Sequence, residues 1–219
     1  MIAQYKKDFI DLMLEAEVLR FGEFETKSGR LSPYFINSGN FKHGKTISRL
    51  GHFYAEAILE QFGEGFDNLY GPAYKGIPLA TITAAQLYEK FDKSVSYTFN
   101  RKEVKDHGEG GSLVGYTYTG GERIIIIEDV ITAGTSIRES VPLLKSVADV
   151  TISAVVVSVD RQEKGAGDKS ALEEIAELYD LQAFSIVNLS EIVDYLGAEG
   201  VLNDEQLDAI AKYRNKYGL

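Results

Sequence analysis

The sequence predicts an α/β fold in which a central, mostly parallel sheet is flanked by helices. Three observations support this fold class. Four consecutive isoleucines, Ile124–Ile127, are apolar on both faces, as in a strand buried at the centre of a parallel sheet. Short apolar strands alternate along the chain with segments of helical periodicity. The 219 residues suffice for one such domain with a full core.

In the first half of the chain, apolar spacing from Tyr5 to Leu19 predicts an amphipathic helix. The polar, glycine-rich stretch Asn100–Leu113 has no apolar period and predicts a loop. Between them we expect strands at Phe21–Glu25 and Pro33–Asn37, a helix at Gly44–Gln61, a strand ending at Leu69 and Tyr70, a helix at Ile77–Lys90 and a strand at Val95–Phe99.

In the second half, the isoleucine strand is followed by a helix that carries Ile137, Val141 and Leu144. Beyond it we expect a buried strand at Val150–Val159, a helix at Ala171–Tyr179, a strand at Ala183–Val187 and closing helices at Glu191–Tyr195 and Asp204–Tyr217. No repeat or linker interrupts this order, so we expect a single domain over residues 1–219.

Composition excludes several classes of protein. Apolar residues make up 44% of the chain, which indicates a globular protein. Without cysteine, neither a disulfide framework nor a thiolate zinc site can form. No apolar run approaches the roughly 20 residues that span a bilayer, and we expect no signal peptide, no membrane partner and a cytoplasmic location. The net charge of −10 argues against general nucleic-acid binding.

The isoleucine strand ends in chemistry-bearing residues. Glu128 and Asp129 follow it directly, and a turn of small and hydroxyl residues, Thr132–Ser136, precedes the next helix. In an open α/β sheet, ligands bind beyond the carboxyl ends of the strands. Free N–H groups at a helix start suit a phosphate, whereas two carboxylates suit a sugar diol or Mg²⁺. The stretch therefore predicts a site for a ribose 5-phosphate.

Two further loops carry cations. Gly71–Gly76 follows a strand, opens a helix and contains Lys75, so it suits a second anion such as a diphosphate. In Arg101–His107, three permanent cations and one histidine fall within seven residues. Such a loop is suited to closing over an anionic ligand.

Four segments resemble a known family. Arg123–Glu139 resembles the PRPP (phosphoribosyl diphosphate) signature of the type I phosphoribosyltransferases. Asn100–Gly111 resembles the mobile catalytic loop of the orotate phosphoribosyltransferases, and Lys27–Phe35 resembles their pyrimidine-binding segment. Asp160–Glu163 resembles the segment that carries their orotate-binding arginine, and the alternative role of Arg161 is a salt bridge with Asp160 or Glu163. The resemblance implies the type I phosphoribosyltransferase fold, with residues 1–40 or so forming a small hood over the base site.

The resemblance also implies an activity, which is Mg²⁺-dependent transfer of phosphoribose from PRPP to orotate in pyrimidine synthesis. It assigns catalysis to Lys102, Lys105, His107, Glu128 and Asp129. It assigns the donor to Lys27, Tyr74, Lys75, Arg101, Lys102, Lys105, His107, Glu128, Asp129, Val130, Ile131, Thr132, Ala133, Gly134, Thr135 and Ser136. It assigns orotate to Lys27, Phe35, Ile36, Thr132 and Arg161.

Further implications of the resemblance concern the metal and the assembly. Mg²⁺ would be held mainly through the diphosphate and ribose of PRPP, with no dedicated protein site. The protein would be a homodimer whose active sites are shared between subunits. Ile36 stands where the family is expected to have a second aromatic residue, and an isoleucine cannot stack on the orotate ring. Glu128 stands where the family often has aspartate.

Two alternatives remain open at this point. Gly39–Thr46 matches the P-loop pattern G-x-x-x-x-G-K-[ST], which is typical of ATPases and kinases. A P-loop should follow a buried core strand, whereas Pro33 at the start of Tyr34–Ile36 suits an edge strand. The second alternative is a regulator that senses PRPP without catalysis and binds nucleic acid. The cationic loop and the acidic net charge argue against it.

Overall fold

The computed structural model describes residues 2–26, 29–105, 111–131, 133–165 and 167–219, and for residues 104 and 105 the backbone alone. The helices are α1 Gln4–Glu15, α2 Gly44–Gln61, α3 Gly76–Phe91, α4 Thr135–Val147, α5 Ala171–Tyr179, α6 Leu189–Ala198 and α7 Asp204–Tyr217, with a 3₁₀ turn at Ser38–Asn40. The strands are β1 Leu19–Glu25, β2 Leu31–Ile36, β3 Asn68–Gly71, β4 Ser96–Lys105, β5 Gly111–Gly115, β6 Arg123–Glu128, β7 Thr151–Asp160 and β8 Gln182–Asn188.

Six strands form the central sheet in the order β5-β4-β3-β6-β7-β8. All neighbours are parallel except β4 and β5, which are antiparallel. The predicted α/β class with a mostly parallel sheet is therefore confirmed. Because β3, β6 and β7 are parallel neighbours, the loops that follow them lie at one edge of the sheet, where ligands bind in such folds.

The isoleucine strand divides the core into two layers. Ile125 and Ile127 face one hydrophobic cluster, and Ile124 and Ile126 face the other. Residues of α1, α2, α3, α6 and α7 complete the first cluster, and residues of α4 and α5 complete the second. All four isoleucines are fully buried, as the unbroken apolar run predicts for a strand covered on both faces.

The first two strands lie outside the central sheet. β1 and β2 pair antiparallel in a sheet of their own. Tyr34 of β2 contacts Tyr213 of α7 edge to face, with ring centroids 5.8 Å apart.

Among the described residues, no helix is both long and apolar enough to cross a bilayer.

Two parts of the sequence prediction are wrong. The first helix ends at Glu15, and Leu19, which the apolar spacing assigned to that helix, is the first residue of β1. Asn100–Leu113 is not a loop at its described ends, because β4 continues to Lys105 and β5 starts at Gly111. The ladder pairs Asn100 with Leu113 and Lys105 with Gly111. β5 lies at one edge of the sheet. Backbone hydrogen bonds pair β5 with β4, so these strands need no alternation of apolar side chains, which is the pattern by which buried strands are predicted.

Candidate active site

Asp129 lies at the end of β6 and is held by two donors on one carboxylate oxygen. Lys75 Nζ lies 2.7 Å from its Oδ2, and Ser38 Oγ donates to the same oxygen at 2.6 Å. Burial alone would raise the pKa of Asp129, but hydrogen bonds from Lys75, Ser38 and the Val130 N–H outweigh burial and hold the pKa below its usual range. Asp129 is therefore a fixed negative charge, although only 7% of its surface is exposed.

Glu128 has the opposite electrostatic character. Burial raises its pKa to about 7, the charge of Asp129 adds to the rise, and hydrogen bonds from the Ser136 hydroxyl and the Asp129 N–H oppose it in part. The buried Tyr54 hydroxyl donates to the Glu128 main-chain carbonyl at 2.7 Å and fixes the backbone there. Two adjacent carboxyl groups thus differ in charge near neutral pH.

The predicted phosphate turn leads into α4. Gly134, the N-cap residue of this helix, is in the left-handed conformation with φ of 68°, and because it lacks a side chain it makes no cap hydrogen bond to the first turn. A Cβ at Gly134 would lie 3.0 Å from Ile175 of α5, so a side chain there would be both strained and crowded. The N–H groups of this turn and the helix dipole suit a phosphate oxygen. Ala133 and Thr135 are exposed, and Ile131 packs against the second cluster.

The loop before α3 is a close-packed turn that presents Lys75. A Cβ at Gly71 would lie 2.0 Å from the carbonyl oxygen of Gly76, so glycine is required there. The Asn100 side chain accepts a hydrogen bond from the Ala73 N–H at 2.7 Å and ties the loop to β4. The peptide bond between Ala73 and Tyr74 is cis. Tyr74 is 72% exposed.

Two concavities adjoin these loops. The larger, about 150 Å³, has Asp129, Lys75 and Ser38 on one side and apolar residues on the other, among them Phe41, Ile47, Leu50, Pro78 and Leu79. The smaller, about 30 Å³, brings Lys102 of β4 and Ser136 of α4 to one cleft, with Ala73 and Asn100 between them. The structure therefore assembles predicted donor residues from three separate segments of the chain.

Arg161 follows β7 and lies at the same edge of the sheet. Its Nε and Nη2 lie 3.0 and 2.6 Å from Oε1 of Glu163, and its guanidinium lies over the Tyr34 ring, 5.2 Å from the centroid. Phe35 lies on the opposite face of β2 from Tyr34 and stacks on Phe24. Ile36 packs against the main core. Among the predicted orotate residues, Arg161 is therefore joined to β2 through Tyr34.

Several predicted residues lie outside the described residues. These are Lys27, His107 and Thr132, while Lys105 is described by its backbone alone. Arg101 and Lys102 lie on β4, where Arg101 is partly buried and Lys102 is exposed.

The P-loop alternative does not fit the structure. β2, which precedes Gly39–Thr46, belongs to the two-stranded sheet and not to the central sheet. Lys45 bonds Glu15 on the surface, and the Thr46 hydroxyl donates to the His43 carbonyl at 3.0 Å within the helix start. These two residues serve the start of α2, and a P-loop nucleotide site is not favoured.

Residues that sequence reasoning missed hold the two carboxylates in place. Ser38, Tyr54 and Ser158 all bond Glu128 or Asp129, and Ser158 does so through both its N–H and its hydroxyl to the Asp129 carbonyl, at 3.0 and 2.6 Å. They come from a 3₁₀ turn, a helix and a neighbouring strand. No sequence signal marks them, because they lie 91, 74 and 29 positions from their partners and only the fold brings them together.

The model of the phosphoribosyl transferase domain family matches residues 37–186. The matched region contains the whole arrangement of Glu128, Asp129, the phosphate turn and the Lys75 loop. The chain therefore belongs to the phosphoribosyltransferase family.

The relatives narrow this class. Orotate phosphoribosyltransferase of Clostridium acetobutylicum is 48% identical over 221 residues and covers 99% of each chain. The enzyme of that name from Proteus mirabilis is 49% identical over 215 residues, covering 98% of each. The crystal structure of orotate phosphoribosyltransferase from Francisella tularensis superposes with a TM-score of 0.87 at 38% identity, covering 97% of this chain and 100% of that one. Within its family, the chain belongs with the orotate phosphoribosyltransferases.

Proposed function

We propose that this protein transfers the 5-phosphoribosyl group of PRPP to orotate, giving orotidine 5′-monophosphate and diphosphate, in cytoplasmic pyrimidine biosynthesis. The observation that carries the proposal is the arrangement at the end of β6. A buried, ionised Asp129 lies beside Glu128, and the turn that follows it leads to a helix whose N-cap is Gly134. We infer a diol site next to a phosphate site from this arrangement, and the inference is supported by 48% identity to an orotate phosphoribosyltransferase over 99% of the chain.

The chemistry needs charge stabilisation more than a protein nucleophile. The bond from the anomeric carbon to the diphosphate oxygen breaks ahead of the new bond, so that diphosphate leaves with the electron pair and the ribose becomes cationic. A ring nitrogen of orotate, having lost its proton, then forms the new bond to the anomeric carbon. Asp129 supplies a fixed negative charge beside that cation, together with Glu128 in its ionised form. Preorganised charges of this kind are effective because they need no rearrangement during the reaction.

The donor is held from two sides. Backbone N–H groups from Val130 to Ser136 take the 5-phosphate. The leaving diphosphate is neutralised by cations from the loop before α3 and from the β4–β5 hairpin, namely Lys75, Arg101, Lys102, Lys105 and His107. In the structure Lys75 is paired with Asp129. It can turn to the diphosphate, since 63% of its side chain is exposed.

Orotate lies on the side of Arg161. A guanidinium binds a carboxylate through two parallel hydrogen bonds, which selects a pyrimidine that carries a carboxylate over one that lacks it. We assign the remaining contacts to Lys27, Phe35, Ile36 and Thr132, on the resemblance of their segments to the orotate-binding segments of the family.

The metal-binding groups of the site suit an Mg²⁺ ion that binds together with PRPP. Among the described residues, no group of three or more histidine, cysteine or acidic side chains could hold a metal ion. Glu128 and Asp129 offer carboxylate oxygens, which Mg²⁺ accepts alongside phosphate oxygens. When bound, Mg²⁺ would offset the negative charge of the leaving diphosphate.

The experiment that tests the proposal follows the loss of orotate absorbance with PRPP and Mg²⁺. Adenine, guanine, hypoxanthine and uracil are run beside orotate, and a chelator provides the blank. We expect turnover of orotate and none of comparable rate with the other bases. Preference for a purine would reject the substrate while leaving the family intact, and binding of PRPP without any turnover would indicate a sensor.

A further inference from the structure

Glu163 lies where β2 meets the segment that follows β7, which carries Arg161. Its Oε1 accepts hydrogen bonds from the Tyr34 hydroxyl at 2.7 Å, from Arg161 Nε at 3.0 Å and from Arg161 Nη2 at 2.6 Å. Its backbone forms an antiparallel bridge with Gly218, just after α7. Only 18% of the Glu163 side chain is exposed. A single carboxylate oxygen thus joins β2 to the segment after β7.

The arrangement fixes both the plane and the rotation of the guanidinium. The Tyr34 ring lies beneath Arg161, and Tyr213 packs against Tyr34 edge to face. Burial raises the pKa of Tyr34 above its usual range, so its hydroxyl stays protonated and donates to Glu163. Among the described residues, Glu163 takes its hydrogen bonds from the Nε and Nη2 edge of the guanidinium. A planar fork has a second edge, through Nη1 and Nη2, which suits another carboxylate.

We propose that Glu163 is a positioning residue for orotate specificity: it anchors one edge of Arg161 so that the other edge is presented to the substrate carboxylate. This rests on the proposed function, since it needs Arg161 to be the orotate ligand. Two effects compete in this arrangement. The charge of Glu163 repels a second anion, whereas its hydrogen bonds remove the rotamer freedom that a long arginine side chain would lose on binding.

Positioning outweighs repulsion at this site. Only 30% of the Arg161 side chain is exposed, and a half-buried guanidinium without its partner would turn toward other acceptors. In the proposed complex, the Glu163 carboxylate and the orotate carboxylate are each closer to the Arg161 guanidinium than to one another. Their attraction to the guanidinium therefore exceeds their mutual repulsion.

The test compares Glu163→Gln with wild type in the orotate assay. The amide keeps the size of the side chain and an acceptor for Tyr34, but it replaces a charged hydrogen bond to Arg161 with a neutral one. We expect KM for orotate to rise about tenfold, the difference between a charged and a neutral hydrogen bond. We expect kcat and KM for PRPP to change by less than about twofold.

A matched control is Glu15→Gln, because Glu15 also pairs with an arginine, Arg49, at 2.8 Å, but on the surface between α1 and α2. All three constants should stay at wild-type values in this variant. A purely structural role of Glu163 would instead lower the melting temperature and reduce kcat and both affinities together, which would overturn the positioning role. An unchanged or lower KM for orotate would also overturn it.

A second variant keeps the proposal testable if Glu163→Gln fails to fold. Tyr34→Phe retains the ring beneath Arg161 and removes one donor to Glu163, so KM for orotate should rise by a smaller factor, about threefold, with KM for PRPP unchanged. No change in this variant would reject the proposal. Failure of wild type to consume orotate would reject the proposed function itself, whereas wild-type turnover with insensitive variants rejects only the positioning role.

Discussion

At the scale of single residues, Asp129 combines a buried position with a full negative charge. Its charge is maintained by Lys75 and Ser38, which both donate to Oδ2. Asp129→Asn keeps the shape of the side chain and removes the charge that, in the proposed reaction, stabilises the cationic ribose. We expect kcat to fall by about 10²–10³-fold, the usual cost of one such electrostatic contact. Steady-state kinetics would measure this fall in kcat. A variant with wild-type kcat would show that Asp129 has no catalytic role and only ends the strand.

Glu128 leads to a prediction about pH. Because burial raises its pKa to about 7, the folded protein keeps a proton that the unfolded chain releases near its ordinary pKa of 4.5. Stability from this group is therefore present below pH 4.5 and is lost as pH rises through 7. Glu128→Gln removes the effect, so the melting temperature of the variant relative to wild type should increase between pH 5 and 8.

Glu122→Gln is the control for this pH series. Backbone N–H groups of Thr119 and Gly120 and the Thr119 hydroxyl lower the pKa of Glu122 to about 2. The stability that Glu122 contributes is present above its ordinary pKa and is lost only as pH falls toward 2. Between pH 5 and 8 the melting temperature of this variant should therefore run parallel to wild type. A parallel course for Glu128→Gln as well would contradict the raised pKa.

Residues of the site could be predicted from the sequence where the motif that marks them is a single continuous stretch of chain. Glu128, Asp129 and Gly134 stand in one run with the isoleucine strand, and the position of that strand predicts their edge of the sheet. Ser38 and Tyr54 are 91 and 74 positions from their partners, so only the folded chain brings them together. Arg161 was predicted as a ligand, but its anchoring beside Tyr34 was not, because it depends on how β2 packs against α7.

At the scale of elements, the Gly71–Gly76 turn leads to a third prediction. A Cβ at Gly71 would lie 2.0 Å from backbone, so the turn must open to accept it. We expect Gly71→Ala to lower the free energy of unfolding by about 3 kcal/mol and to raise KM for PRPP, because Lys75 is displaced. Denaturant unfolding and kinetics measure the two effects.

Gly44→Ala is the matched control for the turn. A Cβ at Gly44, the first residue of α2, meets nothing within 4 Å. Stability and kinetics should therefore remain close to wild type. Gly44 also belongs to the P-loop pattern, so loss of activity in this variant with the fold preserved would revive the nucleotide-binding alternative.

The elements whose ends were predicted best are those with an amphipathic or fully buried pattern. The helices Gly44–Gln61, Ala171–Tyr179 and Asp204–Tyr217 match their predicted bounds. The β4–β5 hairpin was missed at the same scale. Its strands carry charged and glycine residues at the edge of the sheet, where pairing depends on backbone hydrogen bonds and leaves no periodic trace in the side chains.

At the scale of the whole molecule, the parallel sheet was predictable because strands alternate with helices. The order of the strands was not, since β3 and β6 are neighbours although β4 and β5 lie between them in sequence. Nor did any pattern show that β1 and β2 form a sheet of their own. Both features depend on contacts between distant segments, which a local period cannot encode.

The proposed assembly leads to a fourth prediction. If the β4–β5 hairpin of each subunit serves its partner's active site, Lys105 and Arg161 of one chain act in different sites. Lys105→Ala and Arg161→Ala are each expected to be inactive. After subunit exchange, a mixed dimer would carry one doubly altered site and one intact site. About half of the dimers would be mixed, so activity should return to roughly a quarter of wild type.

Native mass spectrometry confirms the exchange, and each variant mixed with itself is the control. If the hairpin serves its own subunit, every site keeps one alteration and no activity returns. Absence of recovery after confirmed exchange would therefore rule out sharing of the sites.

The contact between Gly134 and Ile175 has a consequence for altering the donor site. The phosphate turn rests on a side chain of α5, a helix that supplies none of the proposed ligands, and Cβ clearance there is 3.0 Å. Any library that varies position 134 is therefore limited by the side chain at position 175. Pairing each substitution at 134 with a smaller residue at 175 gives the new Cβ room, so redesigns that replace Gly134 should require a change in α5 as well as in the turn.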